Sequence, residues 1–67
     1  MKVEYVIGEQ TINSVCVALE RITESKSNYR VVRRRCTNGK LISLDSYIEL
    51  NPAIVRFSNM VVKMQSL

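Results

Sequence analysis

Polar and apolar residues alternate along Lys2-Val3-Glu4-Tyr5-Val6-Ile7, and the β-branched and aromatic content of this stretch predicts a half-buried strand that Gly8 ends. From Ile12 the apolar positions fall at Ile12, Val15, Cys16, Leu19 and Ile22, the spacing of a helix with one buried face. Thr11 or Asn13 serves as its cap, Glu20, Arg21 and Glu24 form its solvent face, and Ser25-Lys26-Ser27-Asn28 stops it. Two further strands, Tyr29-Arg30-Val31-Val32-Arg33 and Leu41-Ile42-Ser43-Leu44, flank Thr37-Asn38-Gly39-Lys40, where Asn-Gly accepts the positive φ of a hairpin turn. Ser46-Tyr47-Ile48-Glu49 has the form of a capping box and predicts a short helix. Pro52 sits too deep for the interior of that helix, which therefore ends at Leu50 or restarts with Asn51 as cap and Pro52 in the first helical position. Asn59-Met60-Val61-Val62-Lys63-Met64 reads as a last strand, with Met60 and Met64 as ordinary packing.

The expected order is thus β-α-β-β-α-β: an α+β open-faced sandwich in which helices cover one face of an antiparallel four-stranded sheet. The other face is left to solvent or to a partner, including a second copy of the chain. With 67 residues the chain forms a single domain, residues 1–67, and a domain of this size buries only about 60% of its unfolded surface. Nearly all of its apolar side chains are needed for stability, which leaves little for a deep substrate pocket. The longest apolar run, Val15–Leu19, is far short of the ~20 residues that cross a bilayer. The opening Met1-Lys2-Val3-Glu4-Tyr5-Val6 lacks the layout of a secretory leader, so a cytoplasmic location and reduced thiols are expected.

The chemistry available is narrow. The chain has no His, and its two cysteines, Cys16 and Cys36, are twenty positions apart, so neither a zinc ligand set nor a Cys-X-X-Cys pair can be assembled; no metal and no cofactor are expected. The six acids form no recognisable catalytic pair, and Gly8 and Gly39 make no phosphate loop. Cys16, at an apolar position, reads as a small core residue, and Tyr5, Tyr47 and Phe57 read as core fillers. No catalytic residues are assigned, and a non-enzymatic protein is expected.

Charge changes the picture more than chemistry does. Ten basic residues oppose six acidic ones, and residues 25–44 hold Lys26, Arg30, Arg33, Arg34, Arg35 and Lys40 with no acid among them. Such a patch suits nucleic-acid phosphates or an acidic protein surface, and it also suits a solvated edge strand whose arginines oppose aggregation. Strand alternation sends Arg33 and Arg35 to one face and Arg34 to the other, while the consecutive Val31 and Val32 leave open which face is buried. Tyr29 is the aromatic placed to stack on a base.

Thr11-Ile12-Asn13-Ser14-Val15-Cys16, Asn38-Gly39-Lys40 and Asp45-Ser46-Tyr47-Ile48 together resemble HPr, the phosphocarrier of the bacterial sugar phosphotransferase system. They correspond to the family's Gly-Ile-His-Ala-Arg-Pro, Asn-Gly-Lys and Lys-Ser-Ile-Met motifs, and the resemblance covers nearly the whole chain. Asn13 stands in the place of the phosphorylated His and Val15 in that of the phosphate-binding Arg, so the resemblance implies a relative without phosphorelay chemistry. The family's third, C-terminal helix has no counterpart here. Ser46 matches the family's regulatory serine, which makes it a candidate phosphosite as well as a helix cap. The partner surface that the family implies falls on Asn13, Ser14, Cys16, Val17, Glu20, Ser46, Tyr47 and Leu50. The expectation is a protein-binding regulator or inhibitor, of a kind found among accessory and phage proteins, that acts by occupying a partner's surface. The alternative is a small basic nucleic-acid-binding module built on the arginine hairpin.

Overall fold

A computed structural model describes residues 2–23 and 26–66. Four strands in chain order, β1 (Lys2–Ile12), β2 (Val15–Thr23), β3 (Tyr29–Arg35) and β4 (Leu41–Tyr47), are followed by one helix, α1 (Leu50–Gln65). The strands form an antiparallel meander with neighbours in the order β1-β2-β3-β4, and α1 lies across one face. The α+β class, the four-stranded antiparallel sheet and the packing of helix on one face are therefore as expected. The order of elements is β-β-β-β-α, in place of β-α-β-β-α-β.

Residues 15–23, within the stretch expected as a helix, form strand β2. Ile12, Val15, Cys16, Leu19 and Ile22 satisfy a helical period, but a central strand buried on both faces is apolar in nearly every position and satisfies it equally. Val17, Ala18, Leu19, Glu20 and Ile22 are all buried. The stretch beginning at Asn13 is a two-residue turn: Ile12 pairs with Val15, and Asn13 and Ser14 have φ of 50° and 64°. That is the hairpin geometry that needs positive φ at both central residues, here met without glycine. Glu24 and Ser25, expected at the helix end, lie outside the described residues.

The hairpin expected around Asn38-Gly39 is present and longer on both sides. The Arg35 N–H donates to the Lys40 carbonyl at 2.9 Å, the Gly39 N–H to the Arg35 carbonyl at 2.8 Å, and Gly39 has φ of 69°. The Asn38 side chain accepts from the Lys40 N–H at 2.9 Å, closing the turn.

Ser46 lies within β4 and caps nothing; the N-cap of α1 is Glu49, in extended backbone and without a side-chain cap bond. Pro52 is the third helical residue, still within the first turn, where an amide has no intrahelical acceptor to lose. Asn59–Met64 is helical. Ala53, Phe57, Met60 and Met64 follow at four, three and four residues, so they share one stripe against the sheet. The element order that the resemblance to HPr implied is not the one observed.

Sheet alternation gives each strand two sets of side chains. Facing α1 are Val17, Leu19 and Val31, which with Ala53, Met60 and Met64 make the core, edged by Ile12, Val15, Tyr29, Tyr47, Leu50 and Phe57. Gly8 opens the space that Phe57 uses: a Cβ there would stand 3.4 Å from its ring. The ladder slips by one residue on either side of Val6, and so curls β1 around the helix.

Candidate functional site

The basic residues gather at the end of the sheet remote from the start of α1. Arg33 and Arg35 project from β3 on the helix side, and Lys40 closes the turn beside Arg35. The later turns of α1 bring Arg56, Asn59 and Lys63 to the same region. Together, Arg33, Arg56, Asn59 and Lys63 line a cleft of about 160 Å³ over Met60 and Met64. Arg33 donates from Nε to Ser43 Oγ at 2.8 Å, its cross-strand neighbour. Arg56 donates from Nε to Asp45 Oδ2 at 3.2 Å. Each guanidinium is thus held through Nε and keeps its terminal N–H groups for a ligand, an arrangement suited to oxyanions. Among the described residues Asp45 is the acid paired here. Among the described residues Arg35, Lys40 and Lys63 have no ion pair. Lys63, in the last turn of α1, also complements the helix dipole.

The opposite end of the sheet is compensated. Tyr5, Arg21, Tyr29 and Tyr47 stand in one row across the four strands. The Arg21 guanidinium lies 5.0 Å from the centroid of the half-buried Tyr29 ring and 3.8 Å from Glu4 Oε2. Tyr29, expected as a base-stacking residue, is occupied by Arg21. Lys26 is exposed in the β2–β3 connection at this end, away from the cleft.

The face turned away from α1 has its own centre. Glu20 and Arg30 are cross-strand partners on β2 and β3, both buried, with Arg30 Nε donating to Glu20 Oε1 at 2.5 Å. Arg34 Nη1 approaches Glu20 Oε2 at 3.9 Å. Arg30 is therefore spent inside the fold and is not part of an accessible patch, and Arg34 is directed to this face, away from Arg33 and Arg35. Cys16 is half-buried on the same face; burial first, then the nearby carboxylate of Glu9, push its thiol above the usual cysteine range. Cys36 is exposed.

The partner surface implied by the HPr resemblance does not assemble. Asn13 and Ser14 form the β1–β2 turn, Val17 is fully buried against α1, and Glu20 is buried on the other face. Ser46 is exposed on β4, whereas Tyr47 and Leu50 pack at the edge of the core. We infer no partner site from this set. Asn59 and Lys63 were hidden because 59–64 reads as a strand, and Arg56 because it falls between that stretch and the helix expected near Pro52; the stripe of Ala53, Phe57, Met60 and Met64 is the signal that places all three on one helix. Compared with protein-family models, with curated proteins and with solved structures, the chain matches none.

Proposed function

We propose that the protein binds the phosphate backbone of a nucleic acid at the basic end of the domain. The observation that carries this reading is the cleft in which Arg33 from β3 and Arg56, Asn59 and Lys63 from α1 converge, extended by Arg35 and Lys40, which have no ion pair among the described residues. Pre-positioned guanidinium groups and an ammonium without counter-charge suit phosphate oxygens spaced along a chain better than they suit a neutral ligand. Strand and helix each supply cations, so the cleft has two walls, and a backbone laid along it is contacted from both sides. The stacking rings a sequence-specific single-strand reader would need are at the other end, so affinity here rests on charge.

Fluorescence anisotropy with labelled single- and double-stranded oligonucleotides tests the reading. For about four phosphate contacts on duplex DNA, the logarithm of the binding constant falls against the logarithm of salt with a slope of roughly −3.6. Replacing the exposed pair Arg35→Glu and Lys63→Glu is expected to weaken binding at least ~10-fold and to flatten that slope by about two contacts. No binding at low ionic strength, or binding indifferent to this double charge reversal, removes the proposal.

A further inference from the structure

An antiparallel sheet with one bare face ordinarily presents polar residues there. This face does not. Register places four rows of side chains across it: Val3 and Ile22; Val6, Glu20, Arg30 and Ser46; Glu9, Ala18, Val32 and Leu44; and Thr11, Cys16, Arg34 and Leu41. Val3, Val6, Leu41 and Leu44 are 37%, 48%, 49% and 39% exposed, and between them Ala18, Ile22 and Val32 form a buried floor. No element of the described residues covers these side chains, yet two opposite charges are buried at their centre.

We propose that a second copy of this chain covers the face, sheet against sheet, about a two-fold axis parallel to the strands. Such an axis lays β1 over β4 of the second copy and β2 over its β3. Each row then meets its own reverse. Glu20 comes to lie over Arg30 of the second copy and Arg30 over its Glu20, so the central charges gain further opposite partners. Ala18 meets Val32 and Val32 meets Ala18, a small residue against a larger one, as interdigitating layers require. Glu9, which has no ion pair among the described residues, falls over Leu44 of the second copy and within reach of Arg34. A two-fold axis across the strands lacks this match: it sets Glu20 over Glu20 when centred on that row, or Glu20 over Ala18 when centred one half-row along.

The size is adequate. Four strands at ~4.8 Å and seven residues at ~3.3 Å per residue give a projected face of roughly 440 Å² per copy. Counted over both copies, and as accessible rather than projected surface, this approaches the ~1,200 Å² at which specific interfaces begin. The choice of a second copy over another protein follows from the two central strands: Glu20 against Arg30 and Ala18 against Val32 are each complementary to their own reverse, and the face is nearly neutral because Glu20 and Glu9 offset Arg30 and Arg34. The axis also keeps both basic ends at the same end of the dimer, on its two opposite outer faces. The dimer does not depend on that end binding nucleic acid.

Sedimentation velocity on the full chain, read with circular dichroism to verify folding, tests the proposal. The wild type is expected at twice the 7.7 kDa chain mass at micromolar concentration and above. Leu44→Glu, on an exposed side chain that meets Glu9 of the second copy, is expected to raise the dimer dissociation constant at least ~100-fold. Leu44→Lys, which also replaces the leucine by a charged side chain but with the opposite sign, is expected to cost less than a tenth of that, and Glu9→Lys combined with Leu44→Glu to recover at least ~10-fold. Val6→Glu provides a second disrupting variant should Leu44→Glu fold poorly. A monomeric wild type overturns the proposal, as does a dimer indifferent to both Leu44→Glu and Val6→Glu, which would be joined elsewhere. Equal responses to Leu44→Glu and Leu44→Lys, with no recovery in the double variant, exclude the axis.

Discussion

The two faces of the sheet are buried by different means. On the side of α1, Val17, Leu19 and Val31 lose their solvent to a second layer, and the polar groups at the rim are held by that layer too, as Asp45 is by Arg56. On the other side Ala18, Ile22 and Val32 are as deeply buried, but only by neighbours within their own sheet, and the central polar groups, Glu20 and Arg30, satisfy each other. The lesson is that low exposure of a residue does not identify what covers it. A strand apolar on both faces implies two coverings, and among the described residues α1 supplies only one of them.

Substitutions at matched positions break or sharpen this contrast. The largest effect is expected at Glu20→Gln, which takes the shared carboxylate from Arg30 and Arg34 in a buried setting; about 3–5 kcal/mol of unfolding free energy is expected to be lost in urea denaturation. A loss below ~1 kcal/mol would mean that water reaches the pair and that the face is not sealed. Leu19→Ala, on the α1 side, is expected to cost about 3 kcal/mol, within the range for a core cavity, and Val32→Ala, on the other, about half as much because the exposed rim can close over it. Equal costs would erase the distinction between the faces.

Gly8→Ala probes how tightly the helix is seated. The new methyl would stand 3.4 Å from the Phe57 ring, at the near edge of ordinary contact, and a gain of about 0.5 kcal/mol is expected, with chemical-shift changes confined to Phe57 and its neighbours in the NMR spectrum. A loss of stability would show that the Phe57 ring is pinned and cannot give way.

The smallest effect is at Cys16. Its raised thiol means that the folded chain keeps a proton that the unfolded chain has released, so this contribution to stability is complete below the unfolded thiol's range and is lost as pH rises through the folded one. Cys16→Ser is expected to flatten the fall in stability on the alkaline side. In the wild type, iodoacetamide is expected to label the exposed Cys36 well before Cys16; equal labelling rates would place Cys16 in open solvent.

The strand nature of β1 and the β3–β4 hairpin was legible in the sequence, because alternation and an Asn-Gly turn are local signals. The β1–β2 hairpin was not, because Asn13-Ser14 adopts positive φ without the glycine that normally announces it, and because the strand that follows is apolar on both faces and mimics a helix. The C-terminal helix was hidden behind Pro52 and a run of Met and Val, although its buried stripe was present throughout. The basic candidates were half legible. Arg33, Arg35 and Lys40 were named from their charge, but Arg30 belongs to a buried pair, Arg34 turns to the other face, and Arg56 and Lys63 joined only when α1 crossed the sheet.

The sequence alone carried a basic charge balance, a tight arginine-bearing hairpin and the lack of any imidazole. Those properties depend on residue identity and on neighbours a few positions away. Tertiary structure alone decided which cations are spent and which remain available, since that depends on register between strands and on where a helix lies. It also decided that the central strand has two buried faces, because burial is a property of what stands opposite a side chain, and no local pattern contains it.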